Sequence, residues 1–352
     1  MARQQILGYN TRTSIIPETT YGTNPGTGGQ ELFVQSYQIE HTRNQSPVNF
    51  LTKGSAGTVK QGNEATNVTL SGILPKSSTA FHGLLNRFFS LGTTTGSGPY
   101  THPYTMPYAT TPGSFTFEVI PQGENSSTRA MQVYGCVPQR LSLSAQPGEH
   151  PTYEMFCIGR ELAQATGPSS APSSAIDTEI FTVGDMALTS LPSTQGDGLL
   201  LTDTGSNGYY VLPTAFDLEI TVGLDEEAYT LDSNQRRQIQ RGANMEVSGS
   251  ITFIYEDGES WDSLDFLSQV RQGTHFTSQF AYNTGTGTGQ RRFDVDLGTG
   301  SAGAMVFDEA AVPATIEGPG RIEIEAPFTC VNVEDNLALT VINEKAGGTV
   351  NI

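Results

Sequence analysis

Asn67-Val68-Thr69-Leu70-Ser71-Gly72 returns 177 positions later as Asn244-Met245-Glu246-Val247-Ser248-Gly249. Both read Asn, apolar, polar, apolar, Ser, Gly, the alternation of a strand buried on one face. Upstream, Tyr37-Gln38-Ile39-Glu40 matches Phe216-Asp217-Leu218-Glu219 at an offset of 179. Downstream, the apolar run Phe81, Leu84, Leu85, Phe88 matches Trp261, Leu264, Leu267, and Pro147-Gly148 matches Pro319-Gly320. Four matches in one order, at offsets between 172 and 180, point to a tandem duplication.

Each copy reads the same way. An alternating strand opens it, with Leu218 and Ile220 inward and Asp217 and Glu219 outward in the second copy. A polar excursion of about 20 residues follows, Arg43 to Gly62 and Gly223 to Gly242, longer than a compact hairpin needs. The motif strand comes next, then one short helix. Phe81, Leu84, Leu85 and Phe88 fall at i, i+3, i+4 and i+7, with Ser78 as N-cap and Gly92 as stop. In the second copy Ser260 precedes the helix and Gly273 ends it. Further strands close each copy, among them Phe293–Leu297 and Arg321–Glu325. The expected fold is mainly β: two tandem antiparallel sandwich or barrel domains, each with one short flanking helix. The expected division is an N-terminal arm 1–30, copy 1 at 31–162, a linker or strap 163–212, copy 2 at 213–345 and a C-terminal tail 346–352. The loop 91–113 has no counterpart in the second copy.

Charged residues are 15% of the 352, and Gly contributes 39 and Pro 19, which suits a turn-rich β protein and excludes a long coiled coil. The formal charge of −18 disfavours binding of nucleic acid or anionic membrane. It is unevenly placed: residues 1–170 hold ten basic and nine acidic residues, residues 171–352 eight and twenty-seven. Cys136, Cys157 and Cys330 form no CxxC pair and read as buried free thiols. No signal peptide and no stretch of about 18 apolar residues is found, so a soluble chain made in a cytoplasm is expected. His41, His82, His102, His150 and His275 lack metal-ligand spacing, and no nucleophile elbow or phosphate loop occurs. Acid pairs such as Asp217/Glu219, Asp294/Asp296 and Glu323/Glu325 mark polar sheet faces, since a glycosidase would need separate, differently tuned carboxyls. No enzyme, no cofactor and no metal are expected.

Ile15-Ile16-Pro17-Glu18-Thr19-Thr20-Tyr21-Gly22-Thr23 resembles the N-terminal segment of tail tube (major tail) proteins of long-tailed bacteriophages. The strand, long loop, strand, short helix plan is similar to the tube domain of that family, though many members carry only one. The resemblance implies a structural virion protein, assembled in the host cytoplasm into stacked rings that form a conduit for DNA ejection. Two tube domains per chain then imply rings of three chains, a pseudo-hexamer. The implied partners are further copies of the chain, the tape measure protein, tail terminator and tip proteins, and DNA that passes without specific binding; no membrane is involved. Asp217, Glu219, Glu246, Asp294, Asp296, Glu323 and Glu325 are the candidate lumen-lining acids, with Gln38, Glu40 and Thr69 as counterparts of the first three. Acids on the outer surface, serving solubility, remain the alternative. The ring-stacking candidates on the excursions are Arg43, Lys53, Lys60, Asp225, Glu226, Glu227, Arg236, Arg237 and Arg241. Two other readings stand beside this one: a capsid decoration protein, and a carbohydrate-binding surface module using Tyr100, Tyr104 and Tyr108.

Overall fold

A computed structural model of the chain describes residues 11–49, 56–106, 111–121, 130–165, 179–182, 185–188, 199–203, 205–231, 233–255, 257–258, 261–284, 289–298, 304–308, 322–333 and 337–345. The first half runs β1 (Thr11–Pro17), β2 (Gln30–Glu31), β3 (Ser36–Asn49), β4 (Ala56–Ile73), α1 (Thr79–Phe88), β5 (Ser90–Leu91) and β6 (Tyr100–Thr105). It continues with β7 (Phe115–Pro121), β8 (Ala130–Ala145), β9 (Thr152–Gly159) and β10 (Glu161–Ala165). The second half adds β11 (Met186–Leu188), β12 (Leu199–Asp203), β13 (Gly208–Leu224) and β14 (Arg241–Ile254). After a small ribbon, β15 (Asp257–Gly258) with β16 (Trp261–Asp262), come α2 (Ser263–Arg271) and β17 (His275–Thr284). The last strands are β18 (Arg291–Leu297), β19 (Met305–Phe307), β20 (Glu323–Cys330) and β21 (Leu337–Asn343).

The protein is mostly β, as expected, and its strands pair antiparallel. One sheet runs β3-β4-β9-β8-β13-β14-β20-β19 through both halves. Its two sets of four strands have the same internal order by position in the chain: first, second (the motif strand), fourth, third. The seam between them is β8 against β13, with Ala145 opposite Phe216 and Arg140 opposite Thr221. In the second half β17 joins β19 to β12, and β12 returns to β13, closing a barrel. In the first half β3 pairs with β4 alone among the described strands. An outer layer, β5-β6-β21-β18-β17-β11, again mixes the halves, because β6 pairs with β21.

Packing follows from the patterns. Phe81, Leu84, Leu85 and Phe88 are all buried, and the Ser78 hydroxyl accepts from the Phe81 amide as N-cap. The helix stops at Phe88 rather than running towards Gly92, because Phe89 turns extended and Ser90–Leu91 pairs with β6. Gly273 does end α2, at φ 69°, a left-handed conformation that favours glycine. Residue Ser260 lies outside the described residues. Inside the closed barrel Phe253, Phe266, Phe276, Phe307 and Phe328 stack edge to face, with centroids 5.0–5.8 Å apart. One buried apolar cluster runs through both halves, and Phe81 of α1 meets Phe293 of β18 at 6.4 Å.

Three expectations change in detail. The N-terminal stretch 1–30 is not all arm: β1 is built into a sheet beside β7, with Ile15 and Ile16 buried. Tyr104, offered for carbohydrate, is fully buried and donates or accepts with His82 at 2.9 Å, while Tyr108 lies outside the described residues. Residues 163–165 belong to β10, and part of the stretch after residue 178 forms β11 and β12. Residues 166–178, Pro319-Gly320 and 346–352 lie outside the described residues.

Candidate functional site

Every second residue of the shared sheet faces away from the core. The exposed acids are Asp217 and Glu219 on β13, Glu323 and Glu325 on β20, and Glu246 on β14. The registers bring them onto one surface: Asp217 lies opposite Ser250 and Ser144, Glu219 opposite Ser248 and Ser142, and Glu325 opposite Thr252. This surface holds an open groove of about 800 Å³, lined by Asp217 and Glu219 among these acids, whose floor crosses the β8–β13 seam from Ser71 and Glu154 to Ser250 and Thr329. The first half contributes Glu40 and Glu154 and the cation Arg140, which binds Glu154 at 3.0 Å and approaches Glu219 at 3.8 Å. Half-exposed pairs of this kind add little stability, about 0–1 kcal/mol each. Their effect here is local, since Arg140 offsets one of the two carboxylates at the seam and leaves the second half acidic.

Asp294 and Asp296 are not part of this face. They alternate as strictly as the others, but β18 lies in the outer layer, between β17 and β21. Asp294 is 4% exposed and binds Arg292 Nε at 2.6 Å, and burial pushes its carboxyl up to about 6. Burial also raises Asp296.

The two excursions differ. The first is a continuation of the β3–β4 hairpin, in register from Arg43/Glu64 out to Asn49/Ala56, with bulges at Arg43/Gln45 and Val48/Asn49. Arg43 pairs with the buried Glu64. Lys53 lies outside the described residues, and Lys60 stands on β4 opposite Ser46. The second excursion is a loop that folds back on the first half. Asn234 O accepts from the Glu64 amide at 2.8 Å, Asn234 Nδ2 donates to Glu64 Oε1 at 2.8 Å, and the Tyr229 hydroxyl donates to Glu64 O at 2.8 Å. Arg236, 5% exposed, donates to Thr66 O, Asn67 Oδ1 and Gly159 O at 3.1–3.2 Å and to Glu226 O at 3.0 Å. Gln139 donates to Glu226 Oε1 at 2.6 Å, and Arg241 to Phe88 O at 3.3 Å. Arg236 and Arg241 are therefore clasps within the chain, while Asp225, Glu227 and Arg237 are exposed.

Sequence reasoning missed two features. The segment Pro17–Gly22 is pinned by Glu18, whose carboxylate accepts from Ser114 and Thr116 hydroxyls at 2.7 Å and from the Gly22 and Gly135 amides at 2.7 and 2.9 Å. The halves are also tied by a buried polar chain in which Asn343 of β21 donates to His82 and meets His102 Nε2 at 3.3 Å. Burial holds His82 down to about 3, so both rings work as neutral hydrogen-bond links. All three thiols are free and buried, as expected.

The described chain is organised around one continuous sheet, with a polar face that spans both halves. A family model described as phage tail tube protein matches residues 8–330, and the chain belongs to that family. No curated protein matches it. Membership gives the chain a structural tail-tube role in a virion, in a family that is not usually enzymatic.

Proposed function

We propose that the chain forms the tail tube as rings of three, each chain supplying two neighbouring wall segments, and that the tube carries DNA during ejection. The observation that carries this is the β8–β13 seam. Two segments with the same strand order stand side by side in one sheet with a common polar face. The open edge of β3 would then receive the second half of the neighbouring chain, repeating between chains the contact made inside each one. Residues 31–162 and 213–345 are the proposed duplicated segments.

This polar face is proposed as the lumen. DNA phosphates bound by basic walls would release counterions and gain affinity, which would stall passage. Asp217, Glu219, Glu246, Glu323 and Glu325 repel phosphate within the roughly 8 Å over which fields persist in physiological salt. Copies of the chain are the main partners, with the tape measure protein and terminator or tip proteins at the tube ends. Assembly is placed in the host cytoplasm. Electron microscopy of concentrated purified protein should show stacked rings with three chains per layer. Six chains per layer, or a second half outside the wall, would overturn the reading.

A further inference from the structure

On the rim that carries the loop between β13 and β14, an open cleft of about 450 Å³ is walled by Thr20, Tyr21, Arg160, Gln235, Arg236 and Arg237. Among the described residues its lining includes three guanidinium groups and no carboxylate. Two buried atoms in these walls, the Tyr21 hydroxyl and Arg160 Nε, have no hydrogen-bond partner among the described residues. Both can donate, and buried donors in folded proteins nearly always find an acceptor. The nearby carboxylate of Glu18 does not serve them, because its oxygens are engaged by Ser114, Thr116, Gly22 and Gly135. Arg236 spends its donors on Thr66, Asn67, Gly159 and Glu226. Arg160 Nη2 donates to Gln235 Oε1 at 3.4 Å, which leaves its Nε unspent. The cleft therefore offers positive charge together with unspent donors, on a chain of net charge −18.

The opposite rim offers the complement. The turn between β8 and β9, Gln146 to His150, is exposed throughout and carries Glu149. Strand β9 runs from this turn to Arg160, so its eight residues separate the two sites by roughly 25 Å at about 3.3 Å per residue. Stacking one ring on another brings unlike rims together, a heterologous contact.

We propose that the Tyr21–Arg160–Arg237 cleft receives the carboxylate of Glu149 from a second copy of the chain in the adjoining ring. This rests on the stacked-ring reading. The Glu149 carboxylate accepts from the Tyr21 hydroxyl and from Arg160, and Arg237 at the mouth steers it in.

The test measures the protein concentration needed for tube growth, by sedimentation at low salt. Glu149→Arg and Arg237→Glu each alter an exposed residue, and each should raise that concentration about tenfold. Combined in one chain they should return it to within about threefold of the original. Tyr21→Phe should raise it several-fold; if the hydroxyl met no acceptor, the change would leave growth untouched and would stabilise the single chain. Unchanged growth in the single variants, or no recovery in the double, overturns the inference while leaving the tube reading intact. Inhibition by inorganic phosphate with no response to Glu149→Arg would assign the cleft to a free anion and also overturn it. Wild-type chains that form no tubes at all would sink the stacked-ring reading first.

Discussion

The two halves of the molecule use one strand order and finish it differently. The second half closes its barrel from its own chain, through β12 and β17, and folds its long loop back as a clasp on Glu64 and Thr66. Among the described strands the first half leaves one edge of β3 open, and it extends the equivalent excursion along β3 and β4. A closed barrel leaves no unpaired edge, whereas an edge strand presents free backbone donors and acceptors with which a neighbour can pair. Charge divides in the same way, with the acid concentrated on the self-contained half.

The sharpest way to break the comparison is at the two motif glycines. A Cβ on Gly249 would lie 2.2 Å from Asp217 O and 2.7 Å from the Phe328 ring, whereas on Gly72 the nearest atoms are Tyr153 Cε1 at 3.0 Å and Phe33 O at 3.1 Å. Gly249→Ala should destabilise by about 3 kcal/mol and Gly72→Ala by about 1 kcal/mol, since overpacking against backbone leaves no room to relax. Urea unfolding of both variants would measure this, and equal effects would mean the two glycines do the same work.

Next in size is the clasp. Arg236→Ala leaves buried carbonyls without donors and should cost about 2–3 kcal/mol, against less than about 0.5 kcal/mol for exposed Arg237→Ala. Thermal unfolding distinguishes them; a tolerant Arg236 would mean the second excursion is not held by the first half.

A smaller effect is expected at Asp294. Its folded carboxyl titrates at about 6, above the ordinary unfolded value, so the folded state holds the extra proton. Its contribution is full below about pH 4 and is lost as pH rises through 6, by linkage. Asp294→Asn should therefore stabilise the chain by roughly 1–2 kcal/mol at pH 7 and flatten the pH profile of unfolding between 4 and 6. A profile unchanged by the substitution would contradict the buried outer-layer placement.

The smallest change in stability belongs to the polar face of the shared sheet. Asp217→Lys with Glu246→Lys and Glu325→Lys should each alter unfolding by less than about 0.5 kcal/mol. In assembled particles the triple variant should slow DNA ejection, and raised salt should partly restore it. Gln38→Lys in the first half should do much less, because it adds one charge to a sector that already holds Arg140. Normal ejection by the triple variant would place these acids outside the channel.

What could be read from the residues was local. The α1 stripe needs only its own spacing, and β20 alternates so strictly that Ile324, Ala326, Phe328 and Cys330 are buried and the residues between them exposed. Partnering was not legible. Asp294/Asp296 and Glu323/Glu325 carry one signature, yet one strand lies in the outer layer and the other in the shared sheet beside β14, because period two reports a face without naming the sheet. Nor was register. Gln38 lies opposite Thr69, whereas Glu246 lies opposite Thr221, four residues beyond Asp217. The counterparts proposed for Asp217 and Glu219 are displaced accordingly. An even slip keeps every side chain on its face, so alternation cannot detect it. The motif glycines do correspond, each lying opposite an aromatic, Tyr153 or Phe328. Arg236 was read as a charge for a neighbouring ring because nothing near it in sequence announces Thr66, Asn67 and Gly159 as its acceptors.

The β8–β13 seam also bears on kinetics. A contact formed inside one chain is independent of protein concentration, because its partners share an effective concentration fixed by the linker. In the proposed ring every second lateral seam is then already made when folding ends. Closing a layer takes two successful encounters among three chains, where six separate subunits would need five. Dilution can only open the seams at β3.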